Sequence, residues 1–117
     1  MPITLTNSYG NITIDHQVIA TIAGIAAMES YGVVGMASKS TTENIFKLLK
    51  FENFTKGIYV DTEHEQVSIQ LHVIVEYGVR ISTVGQNIKD SVRFNVESLT
   101  GLSVDTIDVL VEDIRMD

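Results

Sequence analysis

The segment Gly10-Asn-Ile-Thr-Ile-Asp15 runs straight into the nearly all-apolar stretch Val18 to Met28 and then into Tyr31-Gly-Val-Val-Gly-Met36. This order constrains the fold more than any other feature, because it reads as a short strand, a buried helix and a second strand. Asp15 is placed as the helix N-cap, where its carboxylate can accept from the free N–H groups of the first turn and also suits the helix dipole. Ile14 and Ile19 occupy the hydrophobic-staple positions on either side of it. The spacing predicts a helix from about His16 to Ser30, terminated by Gly32. Val18, Ile19, Ile22, Ile25 and Ala26, with the small Ala23, Gly24 and Ala27, cover more than one stripe of that helix, which implies close packing on a sheet. The region offers packing surface and almost no reactive groups, so the chain is read as a binding or assembly protein rather than an enzyme.

Ser40-Thr-Thr-Glu43 has capping-box spacing, and Ile45, Leu48 and Leu49 recur at helical intervals, which predicts a short amphipathic helix from Thr42 to Lys50. From Gly57 to Tyr77 the period changes to two, with Ile58 and Val60 in one run and Val67, Ile69, Leu71, Val73, Val75 and Tyr77 in the next. This is a hairpin with a polar turn near Thr62 to Gln66, and its long second strand is expected at the centre of the sheet. Thr83 and Gln86 read as another capping box, and Val84, Ile88, Val92, Val96 and Leu99 form a helical stripe that Gly101 closes. Leu102 to Ile114 returns to alternation as a last strand.

The resulting order is β-α-β-(short α)-β-β-α-β within one domain spanning residues 1–117. The expected fold is α+β, with two main helices on one face of a mixed or mostly antiparallel sheet. Alternation then puts Ser68, Gln70, His72, Ile74 and Glu76 of the long strand, and Thr106, Asp108, Leu110 and Glu112 of the last strand, on the face away from the helices. Ile74 and Leu110 are out of place there and mark a candidate self-association patch.

The sequence contains no cysteine, so disulfides, thiolate nucleophiles and thiolate metal sites drop out, and a reducing cytoplasm suits it. Met1-Pro-Ile-Thr-Leu-Thr has neither a basic region nor a long apolar core, so no secretory signal is expected. Val18 to Met28 is about half the ~20 residues that a spanning helix needs, which confines membrane contact to the periphery. The formal charge of −7 argues against nucleic acid, whose phosphates demand clustered Lys and Arg. The charge is uneven, however. Lys39, Lys47, Lys50 and Lys56 share one short stretch with only Glu43 and Glu52, and Phe46, Phe51 and Phe54 lie among them. Lysine beside phenylalanine reads either as a helix with its apolar side in the core and its lysines in water, or as a docking surface for an acidic partner, another copy's acidic face or anionic headgroups, with protein docking preferred because a local net charge of about +2 is weak for membranes.

Three further constellations have simpler readings. Glu63-His64-Glu65 with Asp61 offers metal ligands on a turn, but adjacent side chains diverge on a strand and a solvated acidic turn explains them. His72 and Asp108 can face each other across outer strands, yet no nucleophile stands in a defined relation to them, so an exposed polar pair is preferred to a general base. Gly32-Val-Val-Gly35 matches the GxxG of KH domains formally, and keeps a KH-like nucleic-acid or small-ligand module as the alternative function. No cofactor is expected.

The run Gly10 to Asp15 with Val18, Ile19, Ile22 and Ala23, the run Tyr31 to Met36, Val73-Ile-Val-Glu-Tyr-Gly78 and the helix around Val84, Ile88 and Val92 resemble the alkaline-shock-protein family of Gram-positive envelope-stress proteins. The resemblance covers essentially the whole chain. It implies a small cytoplasmic α+β domain without known enzymatic activity, associated in some members with the inner side of the envelope through self-assembly and a membrane-anchored partner protein. It supplies no catalytic or ligand residues. The expectation is therefore a non-enzymatic scaffold or adaptor in envelope homeostasis, forming homo-oligomers.

Overall fold

The computed structural model describes residues 3–37, 56–63 and 66–116. The chain opens with a hairpin of β1 (Ile3–Asn7) and β2 (Gly10–Ile14) in register Ile3 with Ile14 through Asn7 with Gly10. Asn7 Oδ1 accepts from the Tyr9 N–H at 2.8 Å and closes the turn, the local bond that makes Asn a turn residue. β1 lies outside the predicted order. Its signal, the alternation of Ile3 and Leu5 before Asn7, was present but only two apolar residues long.

Helix α1 (His16–Met28) starts where Asp15 demands, with Oδ1 accepting from the Gln17 N–H at 3.0 Å. Ile19, Ala20, Ala23, Gly24, Ala26 and Ala27 are buried, and these small side chains let the helix axis approach the sheet closely. The helix ends earlier than predicted, with Glu29 as its C-cap. Gly32 does something else: at φ +90° it turns the chain into β3 (Val33–Met36), and a Cβ there would lie 2.9 Å from Val84 Cγ2. It is glycine because the next helix sits against it.

The sheet is organised around β5 (Gln66–Glu76), whose Val67, Ile69, Leu71, Val73 and Val75 are all buried beneath the helices. One edge of β5 carries β4 (Ile58–Glu63) and β3 in tandem, both antiparallel, from Glu63 opposite Gln66 to Val33 opposite Val75. The two meet at one residue. The Ala37 N–H donates to the His72 carbonyl at 2.8 Å, and the His72 N–H donates to the Gly57 carbonyl at 2.9 Å. Gly57, at φ +76°, has no room for a side chain, since a Cβ would fall 2.1 Å from the Ala37 oxygen.

Helix α2 (Ile81–Thr100) follows a turn at Gly78 and returns the chain to β6 (Ser103–Arg115), which pairs with the other edge of β5 in parallel. A parallel neighbour requires such a crossover, so the sheet is mixed, as the fold class allowed. The capping box at Thr83 and Gln86 is not the start of this helix. The helix begins at Ile81 with Arg80 as a cap that makes no side-chain bond, and the Arg80 carbonyl already accepts from the N–H groups of Thr83 and Val84. Gln86 instead donates to Asp90 one turn on, at 3.0 Å. Val84, Ile88, Val92 and Val96 face inward as expected, but Leu99, in the last turn of the helix, is 70% exposed although its angle falls within the stripe, and the buried Leu102 follows the αL cap at Gly101. The fold is α+β with both described helices over one sheet face. The predicted helix from Thr42 to Lys50 lies outside the described residues.

Candidate interaction surface

The period of two that buries one side of β5 turns the other away from the helices. Ser68, Gln70, Ile74 and Glu76 of β5 are half-buried or exposed there, joined by Tyr59 and Asp61 of β4 and Thr106, Asp108, Leu110 and Glu112 of β6. His72 departs from this pattern. On the outer face it is 4% exposed.

Its burial has a local cause. The rungs of β5 and β6 shift between Val73 opposite Val111 and Ile74 opposite Asp113, which leaves Glu112 as the extra residue of a bulge beside His72. Glu112 Oε2 lies 2.6 Å from His72 Nδ1, Gln70 Oε1 lies 3.2 Å from Nε2, and the Tyr59 ring meets the imidazole edge-on at 5.5 Å between centroids. A protonated ring donates from both nitrogens to these oxygens. A neutral ring donates from Nδ1 to Glu112 and requires the Gln70 amide to present its NH₂ group instead. In either state the ring is fixed on three sides. Sequence alternation located His72 but paired it with Asp108; the register puts Asp108 opposite Gln70, and Glu112 takes the role through a bulge that no sequence period marks. Tyr59, Gln70 and Glu112 are thus the members of this cluster that sequence reading did not join to His72.

Leu110 stands opposite His72, whereas Ile74 stands opposite Asp113 and beside Gly35 of β3. Both are half-buried on the outer face, placed on a diagonal rather than face to face. Toward the Ser68 end of the sheet an open depression of about 250 Å³ is lined by Tyr59, Asp61, Ser68, Gln70, Thr106 and Asp108. Lys56 is half-buried in the turn before β4. Phe46, Lys47, Lys50, Phe51 and Phe54 lie outside the described residues, as do His64 and Glu65. Among the described residues no group of three or more His, Cys, Asp or Glu side chains is placed to hold a metal. The Gly32-to-Gly35 segment is not a clamp loop: Val33 and Gly35 are rungs of β3 on β5, so their backbone is committed to the ladder. No described helix is long and apolar enough to cross a membrane.

A sequence model of the ASP23 family, described by a cell envelope-related function, matches residues 4–116. The chain belongs to this family. It is 41% identical over 117 residues to the protein YloU of Bacillus subtilis, covering 99% of this chain and 98% of that one. Its identity to Spy1614 of Streptococcus pyogenes is 40% over 117 residues, covering 99% and 97%. A protein of Streptococcus pyogenes named as a stress response regulator gls24 homolog is 30% identical over 106 residues, 91% of this chain but 59% of that longer relative. No solved structure matches. The alkaline-shock resemblance read from Gly10 to Asp15 and Tyr31 to Met36 is therefore the family itself, and its description is of envelope function rather than of an enzyme activity.

Proposed function

We propose that this ASP23-family chain is a non-enzymatic scaffold or adaptor in envelope homeostasis and stress tolerance, working through self-association and contacts with other proteins from the cytoplasmic side of the membrane. The observation that carries this reading is the outer sheet face. It is held rigid at its centre by the His72, Glu112, Gln70 and Tyr59 cluster, and it presents half-buried Ile74 and Leu110 beside that cluster. A preorganised surface with apolar anchors and polar surroundings is what a protein contact uses. Asp61, Asp108 and Glu112 make this face acidic, whereas half of the chain's eight Lys and Arg residues fall between Lys39 and Lys56. A second copy therefore offers charge complementary to the face.

Sedimentation velocity over a wide concentration range tests the reading. Growth into dimers or larger species is expected, weakened by added salt because the attraction is partly between exposed charges. Ile74→Asp is expected to give a folded monomer. A wild-type chain that stays monomeric throughout, or an Ile74→Asp variant that assembles normally, would overturn self-association through this face.

A further inference from the structure

The free side of β6 carries a second surface, which meets the outer face at Asp108 and Glu112. Among the described residues no strand pairs with this edge, although β6 runs from Ser103 to Arg115. Its two ends are closed by side chains: the Val104 N–H donates to Glu97 Oε2 at 2.9 Å, and the Ile114 N–H donates to Asp113 Oδ1 at 2.8 Å. Next to Ile114, the Arg115 carbonyl points the other way and accepts from Tyr77. Backbone groups alternate in direction along a strand. Carried across the two register shifts from either end, that alternation leaves the N–H and C=O groups of Ile107, Val109 and Val111 on the open edge.

The same three residues point their side chains toward α2, yet Val109 and Val111 are only half-buried. Between them and α2 lie two depressions that share Gln86 and Lys89 in their walls. The first, about 240 Å³, is walled by Ile81, Gly85, Val109 and Val111. The second, about 500 Å³, is mostly polar, lined by Lys89, Asp90, Arg93 and Asp108 around Ile107. Gly85 opens the first of these grooves. A glycine inside a helix costs roughly 1 kcal/mol relative to alanine, and here neither positive φ nor close packing explains it, since a Cβ would meet nothing within 4 Å.

We propose that this edge is a strand-addition site for an extended segment of a different protein, apolar at every second residue and basic at the residues between. Its backbone pairs with Ile107, Val109 and Val111, its apolar side chains enter the groove beside Gly85 and Ile81, and its Lys or Arg side chains lie on the outer side against Asp108 and Glu112. About 13 Å of strand is engaged, at ~3.3 Å per residue. A second copy of β6 does not fit, because antiparallel self-pairing would bring Asp105, Asp108, Glu112 and Asp113 of both strands near one another, and like charges across strands repel.

The test uses the full-length chain labelled with ¹⁵N and a capped synthetic peptide of alternating valine and lysine, with a peptide of the same composition in two blocks as the control. The alternating peptide is expected to shift the amide resonances of Ile107, Val109 and Val111 and to bind at least tenfold more tightly than the control. Gly85→Gln, which fills the groove from an open position, should weaken binding at least tenfold and leave the sedimentation behaviour unchanged. Val109→Pro, which removes an edge donor and no rung to β5, should do the same. Equal binding of both peptides, undiminished binding by Gly85→Gln, or shifts confined to the region of Tyr59 and His72 would overturn the proposal. Because the outer face is read by assembly and this edge by peptide binding, the two can fail separately.

Discussion

Leu71 and His72 are neighbours on β5, both almost completely buried, for opposite reasons. Leu71 is covered by the helix layer as one of five aliphatic residues at a strict period of two. Neither described helix covers His72, which is enclosed by Tyr59, Gln70 and Glu112 from its own sheet. Burial on the inner face is thus generic and additive, the product of area removed from water. Burial on the outer face is specific to one cluster and depends on one bulge in β6.

Substitutions separate the two kinds of burial. Leu71→Ala should produce the largest loss, about 3 kcal/mol of unfolding free energy, because it deletes buried methyl groups under two helices and leaves a cavity; urea denaturation measures it. Gly57→Ala should come next at roughly 2 kcal/mol, since it forces a left-handed residue against the Ala37 carbonyl at the junction of β3 and β4, and a loss no greater than that of an exposed Ala substitution would show that the junction relaxes freely. His72→Ala is expected to cost about 1.5 kcal/mol, clearly less than Leu71→Ala; an equal loss would mean that the outer cluster is as essential as the core. Glu112→Gln should be the mildest at no more than about 0.5 kcal/mol, because that side chain is 45% exposed and its charge is screened by water. Chemical-shift changes at Tyr59 and Gln70 in this last variant would sharpen the point by showing the cluster rearranged without a stability penalty.

The inner face was legible from residue type alone. Alternation located Val67 to Val75, the helical stripe located Val84 to Val96, and Asp15 and Gly101 marked helix ends through chemistry that acts within one turn. The misreadings share a different cause. Thr83 with Gln86 has the spacing of a capping box, but the start of α2 is set by where the chain leaves β5 at Gly78 and by the need to seat Val84 against Gly32. Leu99 keeps the angle of the stripe but lies in the last turn of α2, where it is exposed. Glu112 reaches His72 because of a register shift between strands separated by a whole helix, which no local pattern encodes. The candidate surface was thus half readable: Ile74, Leu110 and His72 follow from parity, while the groove at Gly85 needed the placement of α2 relative to β6.

The meeting of Ala37 and Gly57 at His72 has a topological consequence. β3 and β4 occupy one edge of β5 in one direction, and the ladder leaves and resumes at the same rung, so together they amount to a single long strand into which residues 38–56 are inserted. Counted this way, the main sheet formed by the described residues is three strands wide. The rungs on either side of His72 thus belong to one ladder edge, although nineteen residues of chain lie between Ala37 and Gly57.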